Sequence, residues 1–229
     1  MKRICKILFV FSLAAFLFLT TTPIASAQPA GPFYIGVFGG FVMPDDLEWG
    51  SGDDDDWYDD DDWGYEEDLD DSWAVGVKIG YIIPQIKWLA VELEYTYLAK
   101  QDYGETYHWS DGNESYDGDF SAHNLMANLL FRYPQGKIHP YIGGGLGLSK
   151  ATIEEDYQFE EVGGNVYTAK IDEDDTAFAT QFIVGVNFEI TPNLSADLAY
   201  KYFYSEYDIA GWDVEASNHI FSMGLNVHF

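Results

Sequence analysis

The carboxylates of this chain are its most chemically distinctive residues, and they are clustered. Of 39 acidic residues, 16 lie between Asp45 and Asp71, and no Lys or Arg lies among them. Clustered carboxylates supply the oxygen ligands that Ca²⁺ and Mg²⁺ take. The segment lacks the glycine and the terminal glutamate of an EF-hand loop, however. We therefore expect a solvated, self-repelling loop that binds Ca²⁺ or Mg²⁺ weakly at most, and no other cofactor or metal site.

Aromatic residues are interleaved with the aspartates of this acidic segment. The four are Trp57, Tyr58, Trp63 and Tyr65. A purely solvating loop does not need aromatic side chains, so they indicate an adhesive or partner-binding surface. The formal net charge of −28 argues against nucleic acid as a partner.

The histidines are the candidate catalytic bases. His123 and His219, with Ser121, Ser205 or Ser217 nearby, could build a Ser–His site where strands end. No local motif ties these residues together, and the alternation along its strand turns His123 outward. We therefore name no catalytic residue. The chain also has no P-loop, dinucleotide-binding fingerprint or Cys/His zinc spacing.

The elements that carry these residues are strands, because apolar and polar residues alternate with a period of two. The alternation is clearest from Trp73 to Ile83 and from Phe221 to Phe229. The same test finds eight candidate strands of roughly 10 to 14 residues, the length that crosses a membrane as a tilted strand. They cover residues 33–43, 73–83, 89–97, 124–133, 141–150, 178–190, 194–204 and 219–229.

The connections between these strands alternate in length. Residues 44–72, 100–119, 151–176 and 206–217 form long connections, and residues 84–87, 134–139 and 191–193 form short ones. No apolar run after residue 27 is long enough for a transmembrane helix. The pattern predicts an all-β, eight-stranded antiparallel up-and-down transmembrane β-barrel with four long extracellular loops, which hold 35 of the 39 acidic residues.

The four acidic residues within the strands all fall on the parity opposite to the apolar face, and three strand cations share that parity with them. A charge facing lipid costs up to a few kcal/mol, so we expect these side chains inside the barrel, paired as an ionic network. The seven are Lys78, Glu92, Glu94, Arg132, Glu189, Asp197 and Lys201. Aromatic residues at the strand ends predict two interfacial girdles. The outer girdle is Trp73, Tyr95, Tyr97, Tyr202 and Tyr204, and the inner one is Tyr81, Phe131, Tyr133, Phe188 and Phe229.

The first 27 residues read as a cleaved signal peptide. Lys2, Arg3 and Lys6 precede an apolar run of about a dozen residues, which ends before the small residues Ala25-Ser26-Ala27. Residues 28–229 then form one barrel domain with a net charge of −31, because three cations are removed. Cys5, the only cysteine, precedes the apolar run, so we expect no lipid anchor and no disulfide.

Two segments resemble a known family. The terminal stretch from His219 is similar to the C-terminal assembly signal of bacterial outer-membrane barrels, with Phe221, Met223, Leu225, Val227 and Phe229 as its alternating residues. The run from Pro140 to Gly147 is similar to the fifth strand of the small barrels that include the opacity and outer membrane protein A-type domains. The resemblance implies a barrel without the periplasmic domain of outer membrane protein A.

This resemblance implies an integral protein of the cell outer membrane with extracellular loops. Its expected partners are outer-membrane lipid and lipopolysaccharide, the barrel-assembly machinery and an extracellular surface partner. We expect a non-enzymatic anchor for acidic, aromatic loops, with a role in envelope integrity, adhesion or surface recognition. The first alternative is a small pore or ligand conduit, and the second is a lipid- or peptide-modifying enzyme.

Overall fold

The computed structural model describes residues 31–45, 47–51, 65–67, 69–109, 112–161, 165–209 and 212–229. The predicted signal peptide and most of the acidic segment between Asp45 and Asp71 lie outside these residues. The described chain forms ten strands: β1 Phe33–Pro44, β2 Leu47–Ser51, β3 Tyr65–Glu67, β4 Ser72–Ile82, β5 Leu89–His108, β6 Gly112–Arg132, β7 Ile138–Glu161, β8 Val166–Thr191, β9 Leu194–Ile209 and β10 Trp212–His228. No helix among the described residues is long and apolar enough to cross a membrane.

Eight of these strands close into a ring. Each long strand pairs with the next in antiparallel register, and β1 pairs with both β4 and β10. The closing pairs run from Tyr34↔His228 to Pro44↔Asn218. The short strands β2 and β3 form an antiparallel pair beside β10. The predicted eight-stranded, up-and-down antiparallel barrel is therefore confirmed.

The ring is apolar outside and polar inside, the reverse of a water-soluble protein. Along β4, Val75, Val77 and Ile79 are about half exposed, whereas the alternate residues Ala74 and Lys78 are buried. Outward side chains of this kind are stable only in apolar surroundings. The period of two in the sequence thus corresponds to two faces of one barrel wall.

The strands are longer than the sequence alternation predicted. Three of the four long connections consist mainly of strand. Residues 100–108 and 112–119 extend β5 and β6, with a register shift between Leu98 and Gln101. Residues 151–161 and 166–176 extend β7 and β8, and residues 206–209 and 212–217 extend β9 and β10. Residues 110–111, 162–164 and 210–211 between them lie outside the described residues. The described parts of these long connections are therefore paired strands, which the sequence alternation did not predict.

Four strands continue beyond the ring as a single sheet. β4 stops pairing with β5 at Leu98, and β9 stops pairing with β8 at Ser205. β5, β6, β7 and β8 remain paired to one another almost to their tips. We call residues 101–108, 112–120, 152–161 and 166–176 the outer sheet. At roughly 3.3 Å per residue, β7 runs about 35 Å along its strand beyond Lys150.

Candidate functional sites in the barrel lumen and the outer sheet

A three-residue ionic group lies in the middle of the lumen. The Nζ atom of Lys78 is 3.2 Å from Oδ1 of Asp197 and 3.4 Å from Oε2 of Glu92. The hydroxyls of Tyr34 and Tyr141 donate to Glu92 and Asp197, at 2.8 and 2.9 Å. All five side chains are buried, so their charges are satisfied by one another. Together they join five different strands across the barrel.

A second ion pair joins Lys201 and Glu94. The Nζ atom of Lys201 is 2.6 Å from the Glu94 carboxylate, and these residues are 3% and 1% exposed. The ring centroid of Phe38 lies 3.9 Å from the same Nζ, which gives a cation–π contact. Thr96 donates a further hydrogen bond to Glu94 at 3.2 Å. The ammonium of Lys201 therefore lies between a carboxylate and an aromatic ring.

Inward glycines make room for aromatic rings that fill the lumen. A Cβ atom at Gly80 would overlap the ring of Tyr34, and one at Gly185 would overlap the ring of Tyr141. Beside Lys78 and Asp197 a cavity of about 30 Å³ remains, enough for only one or two water molecules. This part of the lumen is packed with side chains.

The barrel has two ends: the hairpin end carries the outer sheet, and the turn end carries the short connections at residues 83–88, 133–137 and 192–193. An apolar layer fills the hairpin end of the lumen, beyond the ion pairs. Its side chains are almost fully buried, and two of the largest, Phe120 and Tyr207, pack edge to face at 6.0 Å. The layer also includes Val42, Leu47, Leu98, Ile153, Phe203, Val214 and Ile220. The alternation of apolar and polar residues along the predicted strands does not indicate this layer. One residue could have indicated the layer: Phe203 is aromatic but falls on the otherwise polar, inward face of its predicted strand.

The turn end of the lumen departs from the predicted network. Glu189 pairs with His139 at 2.8 Å rather than with a lysine or arginine. Arg132, the seventh predicted member, makes no ion pair with a described residue. It lines an open cavity of about 490 Å³ together with Lys87, His139 and Glu189. The structure thus brings five of the seven predicted residues into two ion-paired groups and places the other two elsewhere.

His123 and His219 contact tyrosines on the outside of the barrel. Nδ1 of His123 lies 2.7 Å from the hydroxyl of Tyr95, and Nδ1 of His219 lies 2.8 Å from that of Tyr200. Among the described residues, neither ring forms a hydrogen bond with a serine. The two histidines belong with the aromatic residues at the hairpin end of the wall. The suggested Ser–His arrangement is not formed there.

A Ser–His hydrogen bond does join Ser195 and His228 near the turn end, at 2.9 Å. Both residues are buried, and the sequence analysis did not consider this pair. Within the described chain, Nδ1 of His228 has no hydrogen-bond partner. A catalytic triad needs a carboxylate or amide at that nitrogen to orient the ring. The pair therefore lacks the third member of a triad.

The terminal strand presents its proposed assembly residues to the outside. Met223, Leu225, Val227 and Phe229 are about half exposed or more, and Phe221 is half-buried. The ring of Phe229 stacks on that of Phe33 at 6.3 Å. The contact joins the last residue of the chain to β1, where the barrel closes.

Lys170 in the outer sheet, and Lys100 and Lys150 directly before it, lie on the face of the wall turned away from the barrel axis. Lys100 lies 2.9 Å from Asp119 and 3.2 Å from Glu154, and its hydrogen bonds to the two carboxylates raise the pKa of the amine. The remaining pairs on this face are Lys150–Asp174 at 2.7 Å and Lys170–Asp156 at 3.6 Å. These pairs offset part of the negative charge on that face.

The family match agrees with this architecture. A family model described as the outer membrane protein beta-barrel domain matches residues 11–229. The chain belongs to this family. As an outer-membrane β-barrel it lies in the cell outer membrane, and its hairpin end is extracellular while its turn end is periplasmic.

Solved outer-membrane barrels share the fold at low sequence identity. Neisserial surface protein A is 18% identical with a TM-score of 0.52, over 86% of this chain and 97% of that one. The outer membrane protein OprG from Pseudomonas aeruginosa is 14% identical with a TM-score of 0.50, over 90% of this chain and 100% of that one. No curated protein matches this chain. At these identities the likeness concerns the fold alone.

Proposed function

We propose that this outer-membrane barrel is a closed, non-enzymatic anchor that holds acidic, aromatic β-hairpins at the cell surface. There the hairpins act in adhesion or surface recognition, and the barrel contributes to envelope integrity. The observation that carries the proposal is the outer sheet, a paired four-stranded structure that extends well beyond the ring. A barrel that only crossed the membrane would not need these extensions.

The packing of the lumen supports an anchor over a conduit. The pair Lys201–Glu94, the group around Lys78 and the apolar layer succeed one another along the barrel axis. An eight-stranded barrel has an interior just wide enough for side chains. Ion passage would require separating buried charges from their partners, which is costly. A gated conduit and a surface enzyme remain the outcomes that would replace this proposal.

The outward surfaces indicate the partners of the anchor. The apolar wall and its two aromatic girdles are suited to outer-membrane lipid and lipopolysaccharide, because aromatic side chains favour the membrane interfaces. The exposed alternate residues of β10 are suited to recognition by the barrel-assembly machinery. The hairpins are the part of the anchor that would contact an extracellular partner.

A shortened hairpin tests this role. Replacing residues 155–171 with Asn-Gly keeps the pair Glu154↔Asp172 and closes it with a two-residue turn. We expect the shortened barrel to reach the cell surface in the same amount and to keep its heat-dependent mobility on gels. Cells that carry it should lose adhesion that the intact chain confers, and they should keep the detergent resistance that the intact barrel provides.

The control compares the surface abundance of the intact and the shortened barrel, measured by labelling of intact cells. Equal adhesion by cells carrying the intact and the shortened barrel would contradict the proposed role of the hairpins. Loss of the folded species on gels would mean instead that the hairpins are needed for the barrel itself.

A further inference from the structure

The outer sheet has a second face, turned towards the barrel axis, with a distinct composition. Phe120 and Ile153 on this face are buried in the apolar layer, so the positions that follow at intervals of two share their side of the sheet. Towards the tips this face carries aromatic residues. They are Tyr103, Tyr107, Tyr116, Tyr157, Phe159 and Tyr167.

Several of these rings form a connected surface that remains accessible. Tyr107 stacks on Tyr116 at 6.2 Å, and Phe159 lies opposite Tyr167 with their centroids 6.4 Å apart. Tyr107 is 43% exposed and Tyr167 is 58% exposed, although aromatic side chains of this size are normally covered. Exposed aromatic side chains of this density are typical of binding surfaces.

Carboxylates lie between the rings, and no cation of the described residues forms an ion pair with them. Glu114 accepts a hydrogen bond from Tyr157 at 3.0 Å, which raises the pKa of that tyrosine, and Glu155 accepts one from Tyr103 at 3.4 Å. Glu173 is a third carboxylate on this face. By register, none of the described positions of this face within the outer sheet is Lys, Arg or His. Lys170 in the sheet is on the opposite face.

This combination selects the chemistry of the partner. Aromatic faces attract cations, most often the guanidinium of Arg, and carboxylates pair with the same group in a bidentate geometry. A polyanion would be repelled by the carboxylates, and a second copy of a chain with net charge −28 would be repelled as well. The face is also turned towards the barrel axis and so away from the surrounding lipid.

We propose that the axis-facing side of the outer sheet binds an arginine-rich basic peptide segment of an extracellular protein. The proposal rests on the proposed function and names the chemistry of its partner. Guanidinium groups stack on Tyr107, Tyr116, Phe159 and Tyr167, and they pair with Glu114, Glu155 and Glu173. Arginine is favoured over lysine because its planar group makes both contacts.

The test uses the full-length barrel in zwitterionic lipid nanodiscs and a fluorescently labelled arginine-rich peptide. Binding is measured by anisotropy and compared with that of a lysine-rich peptide of equal charge. The triple variant Glu114→Gln, Glu155→Gln, Glu173→Gln should weaken arginine-peptide binding by about tenfold or more, because it removes three charged partners of the guanidinium groups. Tyr167→Ser should weaken it about two- to fivefold.

Matched variants on the opposite face separate a site from diffuse attraction. Asp117→Asn, Glu160→Gln, Asp172→Asn removes the same charge from exposed carboxylates, and Val166→Ser removes an apolar side chain next to Tyr167. We expect these variants to bind the peptide nearly as well as the intact barrel. Equal weakening by both triple variants, equal binding of the two peptides, or no binding to the intact barrel would overturn the proposal.

The outcomes for this peptide site and for the anchor are distinguishable. If the intact barrel does not bind the arginine-rich peptide while the shortened hairpin still abolishes adhesion, the peptide site is wrong and the anchor stands. If the peptide binds but the shortened hairpin leaves adhesion unchanged, the site exists and the proposed role in adhesion is wrong.

Discussion

Single residues determine whether the lumen is closed, and the most important of them are charged. Lys201 and Glu94 are almost inaccessible to solvent and lie 2.6 Å apart. Removing one partner leaves the other charge buried without compensation. By contrast, Lys150 and Asp174 are both more than half exposed, so water screens their interaction. The two pairs have similar geometry and should differ greatly in their effect on stability.

Lys201→Met should lower the free energy of unfolding by about 3–5 kcal/mol, because Glu94 would remain buried without its cation. Lys150→Met, the matched exposed variant, should lower it by less than about 1 kcal/mol. The measurement is urea unfolding in phospholipid vesicles, followed by tryptophan fluorescence. Adding Glu94→Gln to Lys201→Met should restore part of the loss. Similar losses for the two single variants would contradict the claim that Lys201 stabilises the barrel by neutralising the buried Glu94.

The side of the wall for each charged residue could be predicted from the sequence, but not its partner. The period of two and the cost of a charge in lipid direct all seven inward. Partners depend on how the strands are staggered around the ring, and that stagger is not a local property of the sequence. Glu189 therefore meets His139, and Arg132 meets a cavity instead of a carboxylate.

At the scale of elements, the transmembrane strands follow from the sequence and their extensions do not. Along β7 the apolar side chains Leu146 and Leu148 face outward, whereas Ile153 and Phe159 face the barrel axis. The apolar side chains switch from the outward to the inward face where the strand leaves the membrane, because an outward apolar side chain is no longer in contact with lipid there. A search for apolar residues on one unchanging face therefore ends each predicted strand at this point. The acidic residues beyond it then suggest a loop.

The last strand carries a prediction about assembly. Phe229→Ala and Phe33→Ala remove the same stacking contact, since these two rings stack on each other. If the terminal Phe is part of an assembly signal, Phe229→Ala should lower the amount of barrel in the outer membrane several-fold more than Phe33→Ala does. Refolding of the two purified variants in detergent should be similar. Equal abundance of both variants in cells would assign Phe229 only a packing role.

At the scale of the whole molecule, charge is divided between the two ends. Of 39 acidic residues, 35 lie in the four segments at the extracellular end. The periplasmic end carries Lys87, Arg132 and Lys137 with only Glu189 among acidic residues. Composition alone predicts this asymmetry once the topology is known. Because the outer leaflet is itself anionic, we expect the extracellular segments either to stand away from it or to share its divalent cations.

Divalent cations test the acidic segment between Asp45 and Asp71. We expect millimolar Ca²⁺ or Mg²⁺ to change the tryptophan fluorescence of the purified barrel, because carboxylate oxygens bind these ions and Trp57 and Trp63 lie among the aspartates. Sodium chloride at the same ionic strength is the control for screening. A variant with Asn at positions 53–56 should respond less. An unchanged spectrum up to millimolar metal would count against weak divalent binding.

Planar-bilayer conductance tests the closed anchor most directly, with the intact barrel and the barrel shortened at residues 155–171 measured side by side. The proposal places the block in the lumen, at Lys201, Glu94 and the apolar layer, and not in the hairpins. Both proteins should therefore insert without producing steady, uniform conductance steps. Stable channels of one defined size, present with the intact barrel, would contradict a closed anchor and support a conduit.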